Sequence, residues 1–202
     1  MHHLPRLIAQ SYQGCAAVHW TITMEGKAKG WLDAAFHACF RQLLLHAAAR
    51  EHLTCPTYVL MPDHMHLLWM GMGSSSDQRR AMRFVRKYLG RELARRSPGG
   101  VEFELQEQSH DSVLRSHDRT RGALAKVCFY ILNNPCRAEL VTRPWEWPFL
   151  GAVIPGFPFL HPLEDEFWLM FWKLYYRYRE PTPDAVPPSD TDEIAGMDGS
   201  EA

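Results

Sequence analysis

Apolar residues recur along this chain at two spacings, and the spacing changes at short polar breaks. Residues 16–23 (Ala-Ala-Val-His-Trp-Thr-Ile-Thr) are rich in β-formers and predict a strand. In residues 31–50, Leu32, Phe36, Phe40 and Leu43/Leu44 fall at helical spacing. Residues 57–60 and 64–70 read as two strands around Met61-Pro62-Asp63, whose proline and aspartate supply turn chemistry.

After the polar break at residues 71–76, Asp77 is placed to cap a long helix that runs to about Arg96 and stops at Pro98-Gly-Gly. On that helix Met82, Val85, Leu89 and Leu93 form one face, and Arg79, Arg80, Arg83, Lys87 and Arg91 form the other. Residues 101–105 predict a short strand, and residues 118–134 a helix ended by Pro135. Residues 145–162 are aromatic and rich in Pro and Gly, so loop or short strand is expected. Residues 167–178 predict a packed helix. The order strand, helix, hairpin, helix, strand, helix predicts an α+β fold, an antiparallel sheet with helices packed on one face. The expected divisions are a main domain over residues 1–150, an aromatic extension packed on it over 151–179, and an acidic disordered tail over 180–202.

Composition sharpens this picture. The 202 residues are 46% hydrophobic, enough for a sizeable core, and no stretch approaches the ~20 apolar residues of a membrane span. The first residues lack the apolar region of a signal peptide. Five cysteines without a Cys-x-x-Cys pair predict neither a disulfide framework nor a cysteine zinc site, which fits a reduced cytoplasmic setting. The net charge of −1 hides an asymmetry. From Glu180 onward there are seven acids and no Lys or Arg, which leaves 22 basic against 16 acidic residues, about +6, on the body. Eight Lys and Arg between Arg79 and Arg96 face a single acid, Glu92. Such a stripe suits a phosphate backbone, although a solvated helix face has the same pattern.

Two constellations carry candidate chemistry. His64 and His66 are separated by one apolar residue in a predicted strand, so their imidazoles project from the same face and suit one divalent ion. The same pattern also describes two polar residues on the outer face of an amphipathic strand. Further on, Lys126, Tyr130 and Asn134 lie four apart along one helical stripe. Tyr130 offers a phenol that can act as a covalent nucleophile, Asn134 an amide oxygen able to complete a metal shell, and Lys126 a cation. A tyrosine in an apolar helix is also a common core residue.

Three runs decide between these alternatives: Met61-Pro-Asp-His-Met-His-Leu-Leu68, Ser109-His-Asp-Ser-Val-Leu-Arg115, and Tyr130-Ile-Leu-Asn-Asn-Pro-Cys-Arg-Ala-Glu-Leu-Val141. Together and in this order they resemble the REP-associated tyrosine transposases, of the single-tyrosine HUH (histidine–hydrophobe–histidine) superfamily. The resemblance runs from about Trp20 to Pro148. It implies a ferredoxin-like domain binding single-stranded DNA folded into hairpins, with Mg²⁺ or Mn²⁺ as cofactor and a 5′-phosphotyrosine intermediate. Carried over residue by residue, it implies metal ligation by His64, His66 and Asn134, with Tyr130 as nucleophile. The chain departs from the usual run at Cys136, and at Glu139, where a glycine is usual. In the middle run, Arg115 is a candidate phosphate contact and Asp111 a candidate to orient a histidine or cap the turn.

The expected activity is a metal-dependent single-strand DNA endonuclease and strand transferase, working as monomer or homodimer. DNA contacts are expected from Arg79, Arg80, Arg83, Lys87, Arg91, Arg115 and Lys126. A hairpin-binding protein that no longer cuts, and a metal-dependent hydrolase of small phosphates, are the competing possibilities.

Overall fold

The computed structural model describes residues 8–97, 102–114 and 121–181. Five strands, β1 (Ala17–Thr23), β2 (Leu53–Leu60), β3 (His64–Gly71), β4 (His110–Val113) and β5 (Leu150–Val153), form one antiparallel sheet in the order β4-β1-β3-β2-β5. Helices α1 (Ala34–Arg50), α2 (Gln78–Arg96), α3 (Arg121–Leu132), α4 (Asn134–Arg137) and α5 (Phe167–Tyr178) complete the fold. The expected α+β class with an antiparallel sheet is present.

Alternation along the strands sorts side chains onto the two faces. Val18, Trp20 and Ile22 of β1 and Met65, Leu67 and Trp69 of β3 share a core with Phe36, Phe40 and Leu44 of α1 and Met82, Val85 and Leu89 of α2. This is the helix-covered face anticipated from the element order. The opposite face is covered as well: Val59, Leu68 and Met70 pack with Leu124, Cys128 and Ile131 of α3 and Phe167, Phe171 and Trp172 of α5. All eight positions of β2 are consequently buried, as in a strand covered on both faces.

Asp77 caps α2 as expected, its carboxylate accepting the Arg80 amide at 2.9 Å. Asp33 caps α1 in the same way, so that helix starts at Ala34 rather than at residue 31. Strand β2 begins four residues earlier than expected. Pro56 lacks an N–H for the ladder, and the register shifts between Thr54 and Thr57 absorb it.

Two other expectations are corrected. Residues 102–105 form no strand; only an isolated bridge joins Leu105 to Met24, because β4 occupies the edge of β1. The tyrosine helix ends at Leu132, and Pro135, rather than terminating it, stands in the first turn of α4. Proline fits there, since a first-turn N–H needs no helical partner. The Ile131 carbonyl, four residues before Pro135, instead accepts the Asn134 side-chain amide at 3.0 Å. Residues 118–120, and the tail beyond residue 181, lie outside the described residues. No described helix is long and apolar enough to cross a membrane.

Candidate active site

His64 and His66 project from β3 on the face covered by α3, while Met65 points into the α1/α2 core. Their Nε2 atoms stand 3.0 Å apart, with the two rings nearly perpendicular. Each ring is oriented from behind. The Asp63 carboxylate accepts from His64 Nδ1 at 2.6 Å, which leaves the His64 Nε2 lone pair free in the neutral ring. On the other ring, Nδ1 of His66 lies 3.0 Å from Thr21 Oγ1 and 3.1 Å from His19 Nε2. Thr21 is the cross-strand partner of His66, and alternation puts His19 on the same face of β1.

Burial, reinforced by the positive charge of His64, His19 and Arg137, lowers His66 to about 3, and burial lowers His19 to about 4. His19 and His66 are therefore neutral near neutral pH. Two lone pairs 3.0 Å apart require a proton or a cation between them. Two nitrogens at right angles, each about 2.1 Å from one ion, are themselves about 3 Å apart. The donor pair thus fits a divalent ion. Among the described residues no group of three or more His, Cys, Asp and Glu side chains gathers in a way that could hold a metal ion, so a further ligand from the described residues would be an amide oxygen.

Helix α3 crosses this face on Leu124, Cys128, Ile131 and Leu132 and leaves Tyr130 half exposed. The Arg137 guanidinium, from the end of α4, lies 4.3 Å from the centre of the Tyr130 ring. Asn134 is directed to its own helix, its amide donating to the carbonyls of Tyr130 at 3.2 Å and Ile131 at 3.0 Å, and Oδ1 remains as an acceptor. Lys126 is exposed on the same helix.

The basic stripe lies elsewhere. Helix α2 packs on the other face of the sheet, so Arg79, Arg80, Arg83, Lys87 and Arg91 are separated from the histidine pair by the thickness of the sheet. Arg79 and Arg83 line a cleft of about 220 Å³ with Tyr12, Trp20 and Asp111. Arg80 is paired with buried Glu51 at 3.3 Å, and Lys87 and Arg91 flank the Tyr88 ring. Asp111 pairs with Trp20 across the strands and accepts from the Tyr12 hydroxyl at 2.6 Å; among the described residues its side-chain partner is this tyrosine and not a histidine. Arg115 lies outside the described residues.

Four residues of the site escape sequence reasoning: His19, Thr21, Asp63 and Arg137. The first two sit in a recognisable strand, but their value depends on its pairing with β3. Asp63 adjoins His64 and reads as turn chemistry. Arg137 follows the helix and carries no spacing signal.

No protein-family model and no curated protein matches the chain. Among solved structures, the fold is similar to that of the REP-associated tyrosine transposase bound to a REP hairpin. The TM-score is 0.58 at 17% identity, over 74% of this chain and 82% of that one. The likeness establishes the fold, an α+β sheet of the same architecture.

Proposed function

We propose that this protein is a single-stranded DNA endonuclease and strand transferase acting at hairpins through a covalent tyrosine intermediate. Its divalent ion, Mg²⁺ or Mn²⁺, is held by His64, His66 and Asn134. The observation that carries this function is the 3.0 Å separation of the two Nε2 atoms, on the face crossed by the helix of Tyr130. Each ring also has its own orienting partner, as metal-bound histidines do. The fold likeness to a transposase holding a REP hairpin supports a DNA hairpin as partner.

The bound ion supplies charge neutralisation at the phosphoryl oxygens. Tyr130 provides the nucleophile: its oxygen bonds to phosphorus, the P–O3′ bond breaks, the phenolic proton is released and the 3′-oxygen leaves as a hydroxyl. Attack by another 3′-hydroxyl reverses the step and joins strands, because the phosphotyrosine link conserves the phosphodiester bond energy. Lys126 and the exposed cations of α2 contribute phosphate contacts outside the reacting centre.

One observation favours a second possibility. The fold likeness is to a protein holding a hairpin and speaks to DNA binding rather than to cutting, as suits a hairpin-binding protein that no longer cuts. Incubation with a labelled stem–loop oligonucleotide and Mn²⁺ separates the two on a denaturing gel. A shifted covalent band is expected from the native chain and not from Tyr130→Phe, with hairpin affinity kept in the variant. Equal DNA processing by Tyr130→Phe would remove the nucleophile assignment. Binding with no adduct across both metals would leave the non-cutting protein.

A further inference from the structure

Arg137 places a guanidinium against the ring of the candidate nucleophile. Its backbone is fixed at the end of α4, where its amide donates to the Asn133 carbonyl at 3.0 Å. Its guanidinium carbon lies 4.3 Å from the centre of the Tyr130 ring. The side chain is exposed, and among the described residues no carboxylate pairs with it. Arg80, Arg95 and Arg96 are each tied to an acid instead.

A guanidinium held against a ring by its charge still has five N–H donors to offer, in a fork that matches two oxygens of one phosphate. A phosphodiester placed for attack by the Tyr130 hydroxyl and facing the histidine pair has its non-bridging oxygens within the field of this group. An exposed cation–π contact adds little to folding, so stability alone gives the position weak reason to be arginine.

We infer that Arg137 is a catalytic residue that grips the scissile phosphate. It donates paired hydrogen bonds to the non-bridging oxygens and keeps phosphorus in line between the Tyr130 oxygen and the departing 3′-oxygen. It also offsets the negative charge that builds on those oxygens in the transition state. Arg137 keeps all its protons throughout: the P–O(Tyr130) bond forms as P–O3′ breaks, and the phenolic proton is released while the 3′-oxygen takes up a proton and leaves as a hydroxyl. The inference rests on the proposed function.

The test uses the full chain, Mn²⁺ and a 3′-labelled stem–loop oligonucleotide with single-stranded flanks, taken from the neighbourhood of the gene. A matching oligonucleotide carries a neutral methylphosphonate at the mapped cleavage position. Arg137→Ala is expected to slow adduct formation by about 100-fold or more, with Arg137→Lys intermediate. Hairpin affinity should change by no more than about threefold, since the residue acts at one phosphate among several. On the methylphosphonate, where no anionic oxygen awaits neutralisation, the gap between Arg137→Ala and the native chain should close to within about tenfold. Thermal melts of Arg137→Ala and Arg137→Gln check folding. Adduct formation at the native rate in Arg137→Ala, or an unchanged gap on the methylphosphonate, would overturn the role of Arg137 and leave the proposed function standing. No adduct from the native chain on the unmodified oligonucleotide would overturn both.

Discussion

His37 shows how a single ring couples this fold to acid. Its Nε2 lies 2.8 Å from the Tyr58 hydroxyl, and burial, helped by nearby Arg41, lowers His37 to about 4. Burial pushes the Tyr58 phenol above its ordinary range, so that hydroxyl stays protonated and can donate to a neutral His37. A protonated His37 is a buried charge beside Arg41. The unfolded ring takes up its proton near 6.5 and the folded ring only near 4, so its contribution is complete above pH 6.5 and is lost as pH falls toward 4. His19 and His66 act in the same direction. Thermal stability should therefore fall between pH 6.5 and 4, and His37→Gln should flatten part of that slope; a variant curve parallel to the native one would contradict this. Glu139 is a second case. Its φ of 56° is left-handed, where the resembling run carries glycine. That conformation costs roughly 1–2 kcal/mol for a side chain, and glycine returns about half in backbone entropy. Glu139→Gly should stabilise by about 0.5–1 kcal/mol in urea unfolding; destabilisation would show that the Glu139 side chain makes a compensating contact.

At the scale of elements, the tyrosine helix is the piece on which the site depends. Leu124 is fully buried beneath it, so Leu124→Ala should cost about 2–5 kcal/mol and loosen Tyr130 relative to β3. Urea unfolding of that variant gives the first quantity, and a loss below about 1 kcal/mol would mean that α3 is held elsewhere. Much of this level is legible in the sequence. The caps and apolar periodicities of α1 and α2 are local properties, and the His64/His66 geometry follows from the two-residue period of any strand. Pro135 misleads because proline ends one helix and begins another with equal ease. What supports His66 is not legible. Thr21 and His19 meet it only through the β1/β3 register, and Arg137 reaches Tyr130 only through the turn between α3 and α4.

At the scale of the whole molecule, the sheet separates the candidate active site from the basic stripe. The histidine pair and Tyr130 occupy one face, and the basic stripe of α2 lies beyond the other. Element order alone could not reveal this, since it does not say to which face α3 and α5 return. The separation predicts divisible effects. Replacing Arg79, Arg83, Lys87 and Arg91 with Gln should weaken hairpin binding and make its salt dependence shallower, by about 0.7–0.9 in slope for every phosphate that is no longer neutralised. The adduct rate at saturating DNA should stay near the native value. Fluorescence anisotropy across a salt series measures the first, and an unchanged affinity would return the stripe to an ordinary solvated face.

The most direct measurement of the central claim is the chemical position of the DNA link. After reaction with the stem–loop oligonucleotide and Mn²⁺, nuclease and trypsin digestion should yield the peptide spanning residues 127–137, bounded by Lys126 and Arg137. Mass spectrometry is expected to find that peptide carrying a nucleotide phosphate on Tyr130. A phosphate linked to any other residue, or an unmodified Tyr130 peptide from protein that has cut the DNA, would contradict the account.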